Sequence, residues 1–163
     1  MTISEEIIAR IRERGIEAVG FKLWSGDGTE GAVHIARHIR RQIPSVRIFG
    51  GGPQVDTFME RMFSCCEDFD ALVYGEGEET IQELAERGGD SRAFDTIPNL
   101  LFKRNGCFHQ THAKIITNLD ELPLPVYDSE IYPSMRGDEK IRIIVVDDSR
   151  GCRTTTAHSA FTP

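Results

Sequence analysis

The chain has 163 residues, 39% hydrophobic and 28% charged, with 19 Lys and Arg against 26 Asp and Glu and a formal charge of −7. That is one domain's length with enough apolar material for a core, which excludes a chain disordered throughout. No apolar run approaches the roughly 20 residues of a membrane span, and the N-terminus carries Glu5 and Glu6 where a signal peptide carries base, so a soluble cytoplasmic protein is expected.

Residues 2–14 are expected to form a helix. Ile3, Ile7, Ile8 and Ile11 recur at helical spacing, Thr2 and Glu5 have the form of a capping box, and Gly15 ends the pattern. The apolar run 16–24 predicts a strand, stopped by Ser25, Gly26, Asp27 and Gly28. A second helix is expected over 29–42, with Ala32, Ile35, Ala36, Ile39 and Ile43 facing the core and Pro44 ending it. The strand 46–49 runs into Gly50, Gly51, Gly52 and Pro53, and Phe58, Met59, Met62 and Phe63 mark a short helix. A third strand, 69–74, ends in Gly75, Glu76, Gly77 and Glu78 and is followed by a helix over 79–87. Three strand–loop–helix units with nearly continuous apolar strands predict an α/β fold, a doubly wound parallel sheet over residues 1–90.

After Gly89 the rhythm changes. Residues 97–103 and 106–116 predict a β-hairpin turning at Asn105 and Gly106, and the proline-stiffened run 119–125 predicts an extended connector. A last apolar strand is expected over 141–146, before Asp147, Asp148, Ser149, Arg150, Gly151 and Cys152. The organisation expected is therefore an α/β domain over 1–90, a hairpin and connector over 91–140, and the start of a further domain over 141–163.

In such a sheet, ligands bind beyond the carboxyl ends of the strands, where loops diverge and helix N-termini present free N–H groups. All three strands end in glycine-bearing loops, whose backbone can approach a ligand closely. The candidate cofactor-binding residues are Trp24, Ser25, Gly26, Gly50, Gly51, Gly52, Pro53, Tyr74, Gly75, Glu76, Gly77 and Glu78. Ser25 is given a hydrogen-bonding role only, and no catalytic residue is assigned. Glu76 and Glu78 argue against a bare polyphosphate. The charge is uneven: residues 1–50 hold 8 basic and 6 acidic side chains, 51–90 hold 2 and 11, and 91–163 hold 9 and 9. That acidic middle repels a phosphate backbone, and Arg37, Arg40, Arg41 and Arg47 are expected to be an ordinary solvated face, so no nucleic-acid partner is expected.

The four cysteines, at 65, 66, 107 and 152, form neither a C-x-x-C pair nor a disulfide framework, and reduced thiols are expected. His34 and His38 stand four apart on the second helix, and Cys107, His109 and His112 form a looser group. Each set falls short of the four ligands of a structural zinc site.

The succession Phe49-Gly50-Gly51-Gly52-Pro53-Gln54, then Asp70-Ala71-Leu72-Val73-Tyr74-Gly75-Glu76-Gly77-Glu78, then Ile97-Pro98-Asn99-Leu100, then the run from Leu119 to Pro125, then Ser149-Arg150-Gly151-Cys152 resembles the N-terminal half of cobalamin-dependent radical S-adenosylmethionine enzymes. The resemblance spans 16–152. It implies a Rossmann-like, flavodoxin-like cobalamin-binding domain with the three glycine loops around the cofactor's nucleotide tail. It also implies a C-x3-C-x2-C motif for an iron–sulfur cluster beginning at Cys152. The next two positions of that motif hold Thr156 and Ser159, whose hydroxyls are poor iron ligands. Cys152 alone is then a vestigial ligand, and neither an iron–sulfur cluster nor S-adenosylmethionine is supportable by this chain. No Asp-x-His-x-x-Gly segment supplies a histidine below cobalt.

The resemblance further implies that a strand or two of the family's sheet would precede the chain, leaving the sheet incomplete. Residues 141–146 could fill the gap, or the exposed edge could pair in a homodimer. The function expected is a cobalamin-binding module without activity of its own, truncated before the barrel of a parent radical enzyme for methyl transfer or rearrangement. The alternatives are a structural or interaction remnant without a cofactor, and a flavodoxin-like module for another nucleotide.

Overall fold

The computed structural model describes residues 2–24, 26–87 and 89–123. The chain divides into two compact units, Met1–Ile115 and Ile116–Pro163. The first begins with α1 (Ile3–Arg14), where the Thr2 hydroxyl accepts from the Glu5 N–H, the Glu5 carboxylate accepts from the Thr2 N–H, and Gly15 turns the chain out at φ 60°. There follow β1 (Ala18–Lys22), α2 (Asp27–Gln42), β2 (Arg47–Gly51), α3 (Pro53–Phe58), β3 (Ala71–Val73), α4 (Glu78–Glu86), β4 (Leu100–Arg104) and β5 (Cys107–Gln110).

The five strands form one sheet in the order β1-β2-β3-β4-β5, the first three parallel and the last two antiparallel. The register sets Gly20 beside Phe49, Phe49 beside Ala71 and Ala71 beside Phe102, so these share one face. Helices cover both faces, which is the doubly wound, flavodoxin-like α/β arrangement. On one side Ile8 and Ile11 of α1, Ala36 and Ile39 of α2 and Val55 of α3 pack on Ile48, Leu72 and Leu101. On the other, Leu84 of α4 and Phe94 pack on Phe49, Ala71, Val73, Leu100 and Phe102.

The expected helix around Met62 is broken. Met59 takes φ 49° and ends α3, and Met59–Ser64 continues as a 3-10 turn that buries Met62 and Phe63 and leaves Phe58 exposed. The hairpin turns at Asn105 and Gly106, both at positive φ, as expected, and its second arm is a strand over Cys107–Gln110, with backbone bonds to the first arm continuing through Thr111 and His112. Its first arm is no appendage, because Leu100, Leu101 and Phe102 are all buried and β4 bonds to β3. In the second unit, Leu119–Glu121 is a single 3-10 turn with the Asn118 side chain accepting from Asp120 N–H, where an extended connector was expected. Ser25, the strand expected over 141–146 and Cys152 lie outside the described residues. No described helix is long and apolar enough to cross a membrane.

Candidate functional site

The carboxyl ends of β1 and β2 are stitched together by backbone bonds. Leu23 N–H donates to the Gly51 carbonyl at 2.7 Å, and Gln54 N–H to the Leu23 carbonyl at 3.3 Å. From α3, Asp56 Oδ1 accepts from Gly75 N–H at 2.6 Å, joining the second glycine loop to the third. Gly52 sits at φ 115°, and a Cβ there would stand 3.1 Å from the Leu23 carbonyl oxygen, so both its backbone and its surroundings demand glycine. Pro53 then occupies the first turn of α3, where its fixed φ suits the helix and no N–H is missed.

α4 covers β3 and leaves part of β1 and β2 bare on the same face. The space between is a groove of about 370 Å³, bordered by Ala18 and Gly20 of β1, Phe49 and Gly51 of β2, Val73 of β3 and Ile81 of α4. Gly52, Gly75 and Gly77 close its end. No charged side chain lines it. A Cβ added at Gly20 would meet nothing within 4 Å, so the floor beside β1 is open. A narrow apolar slot with a glycine floor accepts a flat, neutral aromatic group against the sheet and disfavours a bare phosphate.

The candidates chosen from sequence divide accordingly. Gly51, Gly52, Gly75 and Gly77 line the groove. Gly50 points to the other face, where a Cβ would lie 2.9 Å from Leu23, Leu72 and Phe69 side-chain atoms, so its bareness serves core packing. Tyr74 is buried in the same core and its hydroxyl donates to the Thr111 carbonyl at 2.6 Å. Trp24 is 54% exposed, with the Lys22 ammonium 4.7 Å from its ring centre, and the Thr29 hydroxyl donates to its carbonyl. Gly26, at φ 65°, caps α2. Glu76 and Glu78 are half-buried beside the groove's end. Sequence inspection missed Ala18, Gly20, Phe49 and Ile81; two small residues two apart on β1 were the available signal, since they share a face.

Among the described residues no group of three or more His, Cys, Asp or Glu side chains could hold a metal ion. His109 stacks on Phe102 at 5.1 Å instead. Cys65 and Cys66 approach to 3.8 Å between sulfurs, but Cys66 is buried, and burial followed by the neighbouring Cys65 pushes its thiol up to about 12. A thiol so held is inert as a nucleophile near neutral pH.

Residues 1–85, just over half of the chain, match the family described as the B12 binding domain. A relative from Pyrococcus horikoshii, the uncharacterized methyltransferase PH0819, is 34% identical over 119 residues, which cover 72% of this chain and 25% of that protein. The match thus spans a quarter of the relative's length. Cobalamin suits the groove: its nucleotide tail ends in a planar, uncharged benzimidazole, and the small residues let such a base lie close to the sheet. Fold and sequence match agree, and the chain belongs to the B12-binding domain family, with cobalamin as its cofactor.

Proposed function

We propose that this chain is the cobalamin-binding module of a radical S-adenosylmethionine protein, and that the groove between α4 and the bare part of β1 and β2 receives the nucleotide tail. The convergence of the glycine loops after β2 and β3 with the small residues Ala18 and Gly20 of β1 on one uncharged slot carries this reading. Gly20 and Gly51 give the tail its floor, Gly52, Gly75 and Gly77 its end wall, and Ile81 an apolar flank. Trp24 and Lys22 stand at the carboxyl end of β1, where the corrin would emerge. Bound cobalamin supplies methyl-carrying chemistry, and the chain's own residues bind it, orient it and keep water from the tail.

The parent's reaction is a methyl transfer, a reading supported by the likeness to the Pyrococcus methyltransferase, and residues from 141 onward begin the radical domain. The motif succession quoted above supports that parentage. Mixing the purified protein with hydroxocobalamin and desalting should leave corrin absorbance with the protein. Complete loss of colour would overturn the cobalamin reading.

A further inference from the structure

We propose that Asn99 is the positioning residue of the third glycine loop, holding Gly75–Gly77 in the shape that receives the cofactor. The proposal rests on the groove being the cobalamin site. Asn99 is 3% exposed and sits at φ 56°, a conformation Asn tolerates better than other residues bearing a Cβ. Its amide group donates to the Glu76 carbonyl at 2.6 Å and to the Lys114 carbonyl at 2.8 Å, while its Oδ1 accepts from Lys114 N–H at 2.6 Å. That last bond fixes which end of the amide is oxygen, since a backbone N–H can only donate. Its own carbonyl accepts from Tyr74 N–H at 3.0 Å, and its N–H donates to the His112 carbonyl at 3.0 Å. One buried side chain therefore joins the glycine loop to the strap 111–114 that leaves the hairpin.

The loop is gripped from both sides, by Asp56 on Gly75 and by Asn99 on Glu76. Lys114 adds an ion pair to Glu79 at 2.5 Å, and the Tyr74 hydroxyl bonds to Thr111, so the strap is fastened along its length. A loop of two glycines has many shapes open to it, and fixing one before the ligand arrives removes an ordering cost from binding. Asn99 supplies that fixation without touching the groove, which is why it is a positioning residue rather than a ligand.

The test uses the full chain and the variant Asn99→Gly, which keeps the positive φ and deletes the amide. Hydrogen exchange is expected to quicken at residues 74–79 and at Lys114 while the rest of the unit is unchanged, and hydroxocobalamin affinity to fall about tenfold. Ile39→Val, which loosens the core on the other face of the sheet, serves as the control for general destabilisation: it lowers the thermal midpoint without singling out residues 74–79 or Lys114 in exchange. Exchange unchanged at 74–79, or quickened everywhere as in a merely destabilised protein, would overturn the proposal. In the unaltered chain the Lys114 amide, which lies outside any strand, should be protected; rapid exchange there overturns the proposal even if the variant does not fold. Should the unaltered chain retain no corrin, the cobalamin reading fails, while the exchange measurements still decide the role of Asn99.

Discussion

Three consecutive glycines at 50, 51 and 52 do three different jobs. Gly50 makes room for Leu23, Leu72 and Phe69, Gly51 forms the floor of the groove, and Gly52 supplies a left-handed turn against the Leu23 carbonyl. Gly20, across the sheet, has space around it. Alanine substitutions should separate packing from binding. Gly50→Ala drives a methyl into three side chains and is expected to lower unfolding free energy by about 1–3 kcal/mol in denaturant titrations. Gly20→Ala adds a methyl to an exposed strand position and should leave stability within about 0.5 kcal/mol while weakening hydroxocobalamin binding by narrowing the slot. If Gly20→Ala binds as well as the unaltered chain, the tail does not lie beside β1.

At the scale of elements, the strand starts are tied by Asp70. Its carboxylate accepts from Arg40 at 2.7 Å, Arg47 at 3.3 Å and the Ile48 N–H at 2.7 Å, so α2, β2 and β3 meet on one side chain. The three groups are only partly exposed, which reduces screening of the contact. Asp70→Asn removes the charge and one acceptor, and a loss of about 2 kcal/mol in unfolding free energy is expected. Salt titration of both proteins checks the electrostatic share.

The elements themselves were largely legible in the sequence, because α1 carries a capping box, α1 and α2 a helical apolar period, and Asn105-Gly106 specifies its turn. Less legible was what joins to what. The apolar run of β4 does not say whether it pairs with β3 or stands apart, and the division of labour among Gly50, Gly51 and Gly52 follows from strand alternation, which needs the register. Asn99 was legible only as a motif position. Its role depends on carbonyls at 76 and 114, which no local pattern connects.

Across the whole molecule, the acidic excess of residues 51–90 lies in the segment that supplies two of the three glycine loops, yet the groove itself is uncharged. One edge of the sheet carries a different message. Among the described residues β1 pairs with β2 alone, so the N–H and C=O groups along its other side have no strand beside them, and Ala18, Gly20 and Lys22 are exposed. Where two copies meet along such a strand, folding becomes a reaction whose yield obeys mass action, and each tenfold rise in concentration adds about 1.4 kcal/mol per dimer to unfolding. The thermal midpoint is then expected to climb between micromolar and near-millimolar protein. A midpoint independent of concentration would show that each copy holds its own edge.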